Sequence, residues 1–193
     1  MSIHVLPQEV ASQIAAGEGV ERPASVVKEL VENAIDAGAN YIKVTVEGAG
    51  QRLIEVADNG RGIPPGELPL AVERHATSKL SRAEDLFRIT TLGFRGEALA
   101  SIGSVSRLTL TSRPEGEAAG ARLRVEGGHL LSVDPSGAPV GTVLRVEDLF
   151  YNVPARLKFL KADTTERRQI DELLTRYALA YPHIRFHLVQ EGR

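Results

Sequence analysis

The sequence predicts an α+β fold, a two-layer sandwich with helices on one face of a mixed, mostly antiparallel sheet. Three observations predict it. Helical periodicity dominates an early segment, where Val27, Leu30, Val31, Ala34 and Ile35 recur on one side. YIKVTVE and RLIEVAD, joined by the short GAGQ turn, read as a hairpin. From about residue 105 onward, alternating segments dominate and are separated by glycine-bearing turns. The 193 residues suffice for one domain with its own core.

Taken in order, residues 7–16 (PQEVASQIAA) read as a short helix and GEGVERPAS as a break. The next helix is expected from about Ser25 to Ala37, with Ser25 capping its start and Gly38 taking the left-handed position after its end. YIKVTVE (41–47) alternates as a half-buried strand, and RLIEVAD (52–58) pairs back on it. DNGRGIPPGEL has loop composition, and residues 67–75 are expected to be helical. HATSKLSRAEDLFRITTLGFRG is long and mixed, with a short helix expected near Ala83–Phe87. Segments much longer than ~12 residues with little regular structure are usually functional or disordered. EALASIGSV opens another helix. SRLTLTSR, ARLRVEGG, HLLSVDPSG and TVLRVEDL follow as strands. VPARLKFL and TTERRQIDELLTRYALAY are expected as helices, and HIRFHLVQ as a last strand. The chain stops after EGR, where a hairpin would turn, so it is expected to be a fragment of a longer protein.

Composition narrows the chemistry. Hydrophobic residues make up 42% and charged residues 25%, a globular balance. The formal net charge of −2 announces no nucleic-acid surface, so any such contact must be a local patch. The absence of cysteine removes disulfides, thiolate metal sites and thiol nucleophiles. The start of the chain lacks the basic and apolar regions of a secretory signal, and no apolar run approaches the ~18 residues of a membrane span.

VVKELVENAIDAGAN carries an acid-and-amide stripe opposite its apolar face. At about 100° per residue, Glu32 lies about 60° to one side of Glu29, Asn33 about 40° to the other, and Asp36 about 20° away. Such an arc is either a solvated face or a cation site. Like charges one turn apart repel, and asparagine competes with the helical backbone, which count against a plain solvated face. A hard cation such as Mg²⁺ takes one or two protein oxygens and fills its other positions with water and phosphate.

DNGRGI (58–63) follows a strand in which Ile54, Val56 and Asp58 share a face. Asp58 therefore ends a buried face, where an unpaired carboxylate is costly. Two readings stand: an ordinary Asx turn built on Asn59-Gly60, or a carboxylate waiting for a donor such as the exocyclic amine of adenine. Gly62 serves either turn chemistry or the close approach of a flat base. In TLGFRGEALASIG (91–103), Gly93 and Gly96 precede a helix. This is either a flexible loop or an anion site made of backbone N–H groups, with Thr77, Ser78 and Lys79 as further donors. GxxxxGK[ST], GxGxxG and GxSxG are all absent, and the five histidines do not pair at metal spacing.

In order, ELVENAIDAGA, DNGRGI, GFRGEALASI and Gly141-Thr142 resemble the four nucleotide-binding motifs of the GHKL ATPases. QIAAGEGVERPASVVKELVENAIDAGA and LFYNVPARLKFL, with GFRGEAL, narrow the resemblance to the MutL family of mismatch-repair proteins, over essentially the whole chain. One departure is visible: Gly19 stands where that family usually has valine, and a locally looser backbone is expected there.

The resemblance implies a Bergerat-type ATP-binding fold, one GHKL domain over 1–193, and Mg²⁺-dependent ATP hydrolysis. It implies that Glu29 activates the attacking water and that Asn33 binds Mg²⁺. Asp58 would accept from the adenine amine, with Gly62 and Ile63 alongside and Thr142 helping through water. Thr77, Ser78, Lys79, Leu92, Gly93, Phe94, Arg95 and Gly96 would cover the phosphates, with Asp36 and Ala37 completing the helix motif. A second domain that delivers a lysine to the γ-phosphate, and a C-terminal dimerisation domain, would lie outside this chain, so weak hydrolysis is expected. Implied partners are the mismatch-recognition protein MutS, DNA bound non-specifically, and a second copy on ATP binding, in the cytoplasm. A nucleotide-gated binding module with negligible hydrolysis, or another GHKL member, is the alternative.

Overall fold

The computed structural model describes residues 19–76, 91–93 and 96–191. The helices expected at 7–16 and 83–87, and the candidate residues Thr77, Ser78, Lys79, Phe94 and Arg95, lie outside the described residues.

Among the described residues the elements run α1 (Pro23–Asp36), β1 (Tyr41–Glu47), β2 (Leu53–Asp58), α2 (Leu68–Ala71), α3 (Ala98–Ser104), β3 (Arg107–Arg113) and β4 (Gly120–Glu126). They continue with β5 (His129–Ser136), β6 (Gly141–Glu147), α4 (Pro154–Leu157), α5 (Asp163–Ala180) and β7 (Arg185–Gln190). The seven strands form one sheet in the order β5-β4-β3-β6-β2-β1-β7. Every pairing is antiparallel except that of β1 with β7, so the sheet is mixed, as expected. β7 reaches its parallel place only after a crossover through α5, as parallel neighbours require.

Alternation decides which face is core. In β1, Ile42, Val44 and Val46 are buried while their neighbours are half-exposed, and β3, β4 and β6 repeat the pattern. The apolar side of α1 (Val26, Val27, Leu30, Val31, Ala34) joins these strand residues in one core. Ile170, Leu174 and Ile184 bring α5 and the start of β7 into the same core.

Three local boundaries differ from expectation. α1 begins at Pro23, and Ser25 sits inside its first turn. Proline at the first helical position gives up an N–H that would be orphaned anyway, and it displaces the expected cap. At the other end Gly38 adopts φ +77. Its N–H donates to Ile35 O at 2.9 Å and that of Ala39 to Ala34 O at 3.1 Å, the Schellman closure the glycine predicts. The helix expected over 67–75 is shorter: a 3₁₀ turn at Pro65–Glu67, then α2. The apolar run ends at Val72, and the exposed Glu73, Arg74 and His75 offer no face to bury. The VPARLKFL helix likewise stops at Leu157.

Candidate functional site

The C-terminal turn of α1 is the point where two loops meet. Asp36 ends the helix, and its carboxylate accepts from the N–H of Leu92 at 3.0 Å and of Gly93 at 3.1 Å. Ala37, the C-cap, offers its carbonyl to the N–H of Arg61 at 3.0 Å. A Cβ on Gly60 would stand 2.8 Å from the Ala37 Cβ, so the loop after β2 lies directly against the helix end. Asn59 completes this attachment. Its side-chain oxygen accepts from the N–H groups of Asn40 and Tyr41 at 3.0 and 2.9 Å. Asn33, one turn before Ala37, accepts the Ala37 N–H through its backbone carbonyl.

Asp58 sits in register opposite Thr142 on β6. Its Oδ1 accepts from the Gly60 N–H at 2.8 Å, and the Thr142 N–H donates to the same carboxylate. The Asx turn therefore forms. It does not neutralise the cost of position: burial pushes the carboxyl up to about 6, against the opposing pull of those two N–H donors. Asp58 is poised to gain from a further donor.

A serine absent from the sequence-based site holds this corner together. Ser112 is fully buried at the end of β3. Its hydroxyl accepts from the Ile63 N–H at 2.8 Å and lies 2.9 Å from both Gly141 O and the Thr142 hydroxyl. Ile63 and Thr142 are thus linked through one small polar residue, and Asp58 joins them through the Thr142 N–H. The signal was available: Leu108, Leu110 and Ser112 share the inward face of an alternating strand, and serine is the odd member.

Gly62 has φ +71, and a Cβ there would meet Arg113 O at 2.5 Å. Its close approach is to the end of β3, so backbone packing alone accounts for the glycine. Gly96 is similar, with φ +63 and Ala76 O at 2.6 Å from a built Cβ.

Two sequence expectations are corrected. Glu32 does not belong to an open acidic arc. It is 7% exposed and packs between α1 and α5, where Tyr177 donates to Oε1 at 2.6 Å and Lys28 to Oε2 at 3.0 Å. The helical wheel gave its direction; α5 fills that direction. The amides of Leu92 and Gly93, expected to face an external anion, are taken by Asp36, because an internal carboxylate stands within reach. Glu29 keeps a more open place: its side chain is 31% exposed, with Lys28 Nζ 3.4 Å from Oε1. Two shallow hollows of about 560 and 460 Å³ lie elsewhere, at Asn40 and Pro182–Arg185 and on the outer sheet face around Arg107 and Arg122. No group of three or more His, Cys, Asp or Glu among the described residues is arranged to hold a metal. Among them too, no helix is long and apolar enough to cross a membrane.

Residues 21–129 match the family model described as histidine kinase-, DNA gyrase B-, and HSP90-like ATPase. The chain is 57% identical over 192 residues to a DNA mismatch repair protein MutL of Actinobacillus pleuropneumoniae, covering 99% of this chain and 31% of the relative. It is 54% identical to the MutL of Desulforamulus reducens, covering 100% and 30%. The chain thus spans about a third of the length of these relatives. Among solved structures it is similar to the Aquifex aeolicus MutL ATPase domain complexed with ADP, with 42% identity and a TM-score of 0.73 over 90% of this chain and 61% of that one. The N-terminal domain of a DNA repair protein superposes with a TM-score of 0.80 at 29% identity, over 95% and 54%.

Proposed function

The chain belongs to the family of histidine kinase-, DNA gyrase B- and HSP90-like ATPases, and we propose that it is the ATP-binding and hydrolysing domain of a MutL-type mismatch-repair protein. The observation that carries the reading is the meeting of three motifs at the end of α1. Glu29 and Asn33 stand one turn apart on that helix, Asp36 grips the glycine loop, and Ala37 seats the loop that carries Asp58.

Each residue has a role that its chemistry supports. Asp58, half-buried and held by two backbone donors, accepts from the exocyclic amine of adenine. Gly62 and Ile63 flank the base, with Thr142 adding a water-mediated contact. Gly96, with Thr77, Ser78, Lys79, Phe94 and Arg95, covers the phosphates, while Leu92 and Gly93 hold that loop to Asp36. Glu29, the more open carboxylate of α1, orients the attacking water and takes its proton.

Asn33 offers one amide oxygen, and no three His, Cys, Asp or Glu among the described residues are grouped to hold a metal, which fits magnesium only as an ion carried largely by phosphate and water. Asn33 would supply the protein ligand, and the ion when bound offsets charge on the phosphates.

In the whole protein, nucleotide binding would order the phosphate loop and drive pairing with a second copy, in the cytoplasm. The partners of that protein would be MutS and DNA bound without sequence preference. A cation placed on the transferring phosphate can be worth roughly 10³–10⁵ in rate.

Glu29→Gln tests the assignment. Binding of a non-hydrolysable ATP analogue should persist while turnover falls by about 10² or more. Equal loss of both would show Glu29 to be a binding residue, and unchanged turnover would remove it from the mechanism.

A further inference from the structure

The α1–α5 interface contains a polar chain that ends on the proposed base. Tyr177 on α5 donates its hydroxyl to Glu32 Oε1 at 2.6 Å. Lys28 donates to Glu32 Oε2 at 3.0 Å, and the same ammonium lies 3.4 Å from Glu29 Oε1. Glu32 is nearly buried, whereas Lys28 and Glu29 have side chains 46% and 31% exposed. One ammonium is therefore shared unequally by two carboxylates, and the nearer one already holds a tyrosine hydroxyl.

We propose that Tyr177 is a positioning residue for Glu29, acting across the helix interface through Glu32 and Lys28. The inference rests on the reading of Glu29 as the base. A buried carboxylate needs donors on both oxygens. With Oε1 satisfied by Tyr177, Glu32 draws on Lys28 through one oxygen only, and the ammonium stays within reach of Glu29. Without the hydroxyl, Glu32 is left with the ammonium as its described side-chain donor and pulls it inward. Glu29 then loses its partner on the described surface and spends less time aimed at the water. Tyr177 is suited to permanent donation: burial first, and then the Glu32 carboxylate, push its phenol well above its ordinary range, so it remains protonated at any working pH. Its ring stacks on Tyr181 with centroids 6.2 Å apart, which fixes the direction of the hydroxyl.

The test is a double-mutant cycle on ATP turnover by the whole chain, with ATP-analogue affinity measured in parallel. Tyr177→Phe keeps the ring and should lower kcat by about two- to fivefold, the range of a partly exposed ion pair, with affinity unchanged. Lys28→Met should do the same. In the Lys28→Met background Tyr177→Phe should have no further effect, because the relay is already cut. Glu32→Gln provides a second background, and there too Tyr177→Phe should be silent. Equal effects of Tyr177→Phe in all backgrounds would reduce it to a packing residue and overturn the proposal, as would a fall in affinity matching the fall in kcat. Turnover that survives Glu29→Gln would overturn the proposal together with the reading beneath it. Turnover lost in Glu29→Gln with additive Tyr177 and Lys28 effects would overturn the relay alone.

Discussion

Replacing Asp58 by asparagine should stabilise the folded chain at neutral pH while weakening its hold on adenine. Burial raises the Asp58 carboxyl from its ordinary 3.8 to about 6, and the Gly60 and Thr142 N–H groups only partly oppose this. The folded pKa lies above the unfolded one, so the sign is opposite to that of a salt-bridged aspartate. Below about pH 4 the group is neutral in both states and carries no penalty. Between about 4 and 6 the unfolded chain has lost the proton that the folded chain retains, so stability falls as pH rises. Above about 6 the full penalty persists. The pKa difference corresponds to at most roughly 3 kcal/mol. Asp58 is only partly buried, so solvent screening reduces this to about 1–2 kcal/mol.

Urea unfolding of both proteins at pH 4, 5, 6 and 7 isolates this contribution, because other carboxylates cancel in the difference. The stability of Asp58→Asn relative to the parent should grow by about 1–2 kcal/mol from pH 4 to 7. A flat difference, or one of opposite slope, would refute the argument. Function should move the other way. An adenine amine donating to Asp58 favours the ionised form, so nucleotide affinity in the parent should rise with pH across the same window. Asparagine can turn a donor toward that amine, and the mismatch should cost roughly 1–3 kcal/mol, or about 10- to 100-fold in Kd.

Two glycines make opposite predictions. Gly62→Ala forces a side chain into φ +71 and to within 2.5 Å of the Arg113 carbonyl oxygen. It should lower stability by about 2–4 kcal/mol, seen as a large fall in Tm even without nucleotide. Gly19→Ala meets nothing nearer than Ser101 Oγ at 4.0 Å. By restricting the unfolded chain it should raise stability by about 0.4–1 kcal/mol and leave analogue binding intact.

Much of the sheet was legible because strand periodicity is a local signal. The β1–β2 hairpin needed only two alternating runs and a short turn, and Asp58 fell on the core-facing side by simple parity. The parallel pairing of β7 with β1 had no comparable signal, since it depends on where the 18-residue α5 delivers the chain. Glu32 failed for a related reason. A helical wheel orders side chains by angle but does not reveal that a second helix, carrying Tyr177, occupies one flank of the stripe. Like charges that looked unbalanced along the sequence are balanced by a hydroxyl 145 positions away and by a lysine one turn off.

The glycine loop shows the limit most clearly. Free amides before a helix signal an anion, and an anion is indeed bound, but it is Asp36 of the same chain, 57 positions from Gly93. Sequence chemistry identified the affinity and could not identify the occupant. This changes what the loop requires of a nucleotide. If the phosphates are to use the amides of Leu92 and Gly93, they must displace a carboxylate that already makes two charge-assisted hydrogen bonds, each worth about 1.5–3 kcal/mol. It costs less to leave Asp36 in place as the anchor of the loop. Asp36 is then a tether between helix and loop, and its acidity serves the protein's own backbone before it serves any ligand.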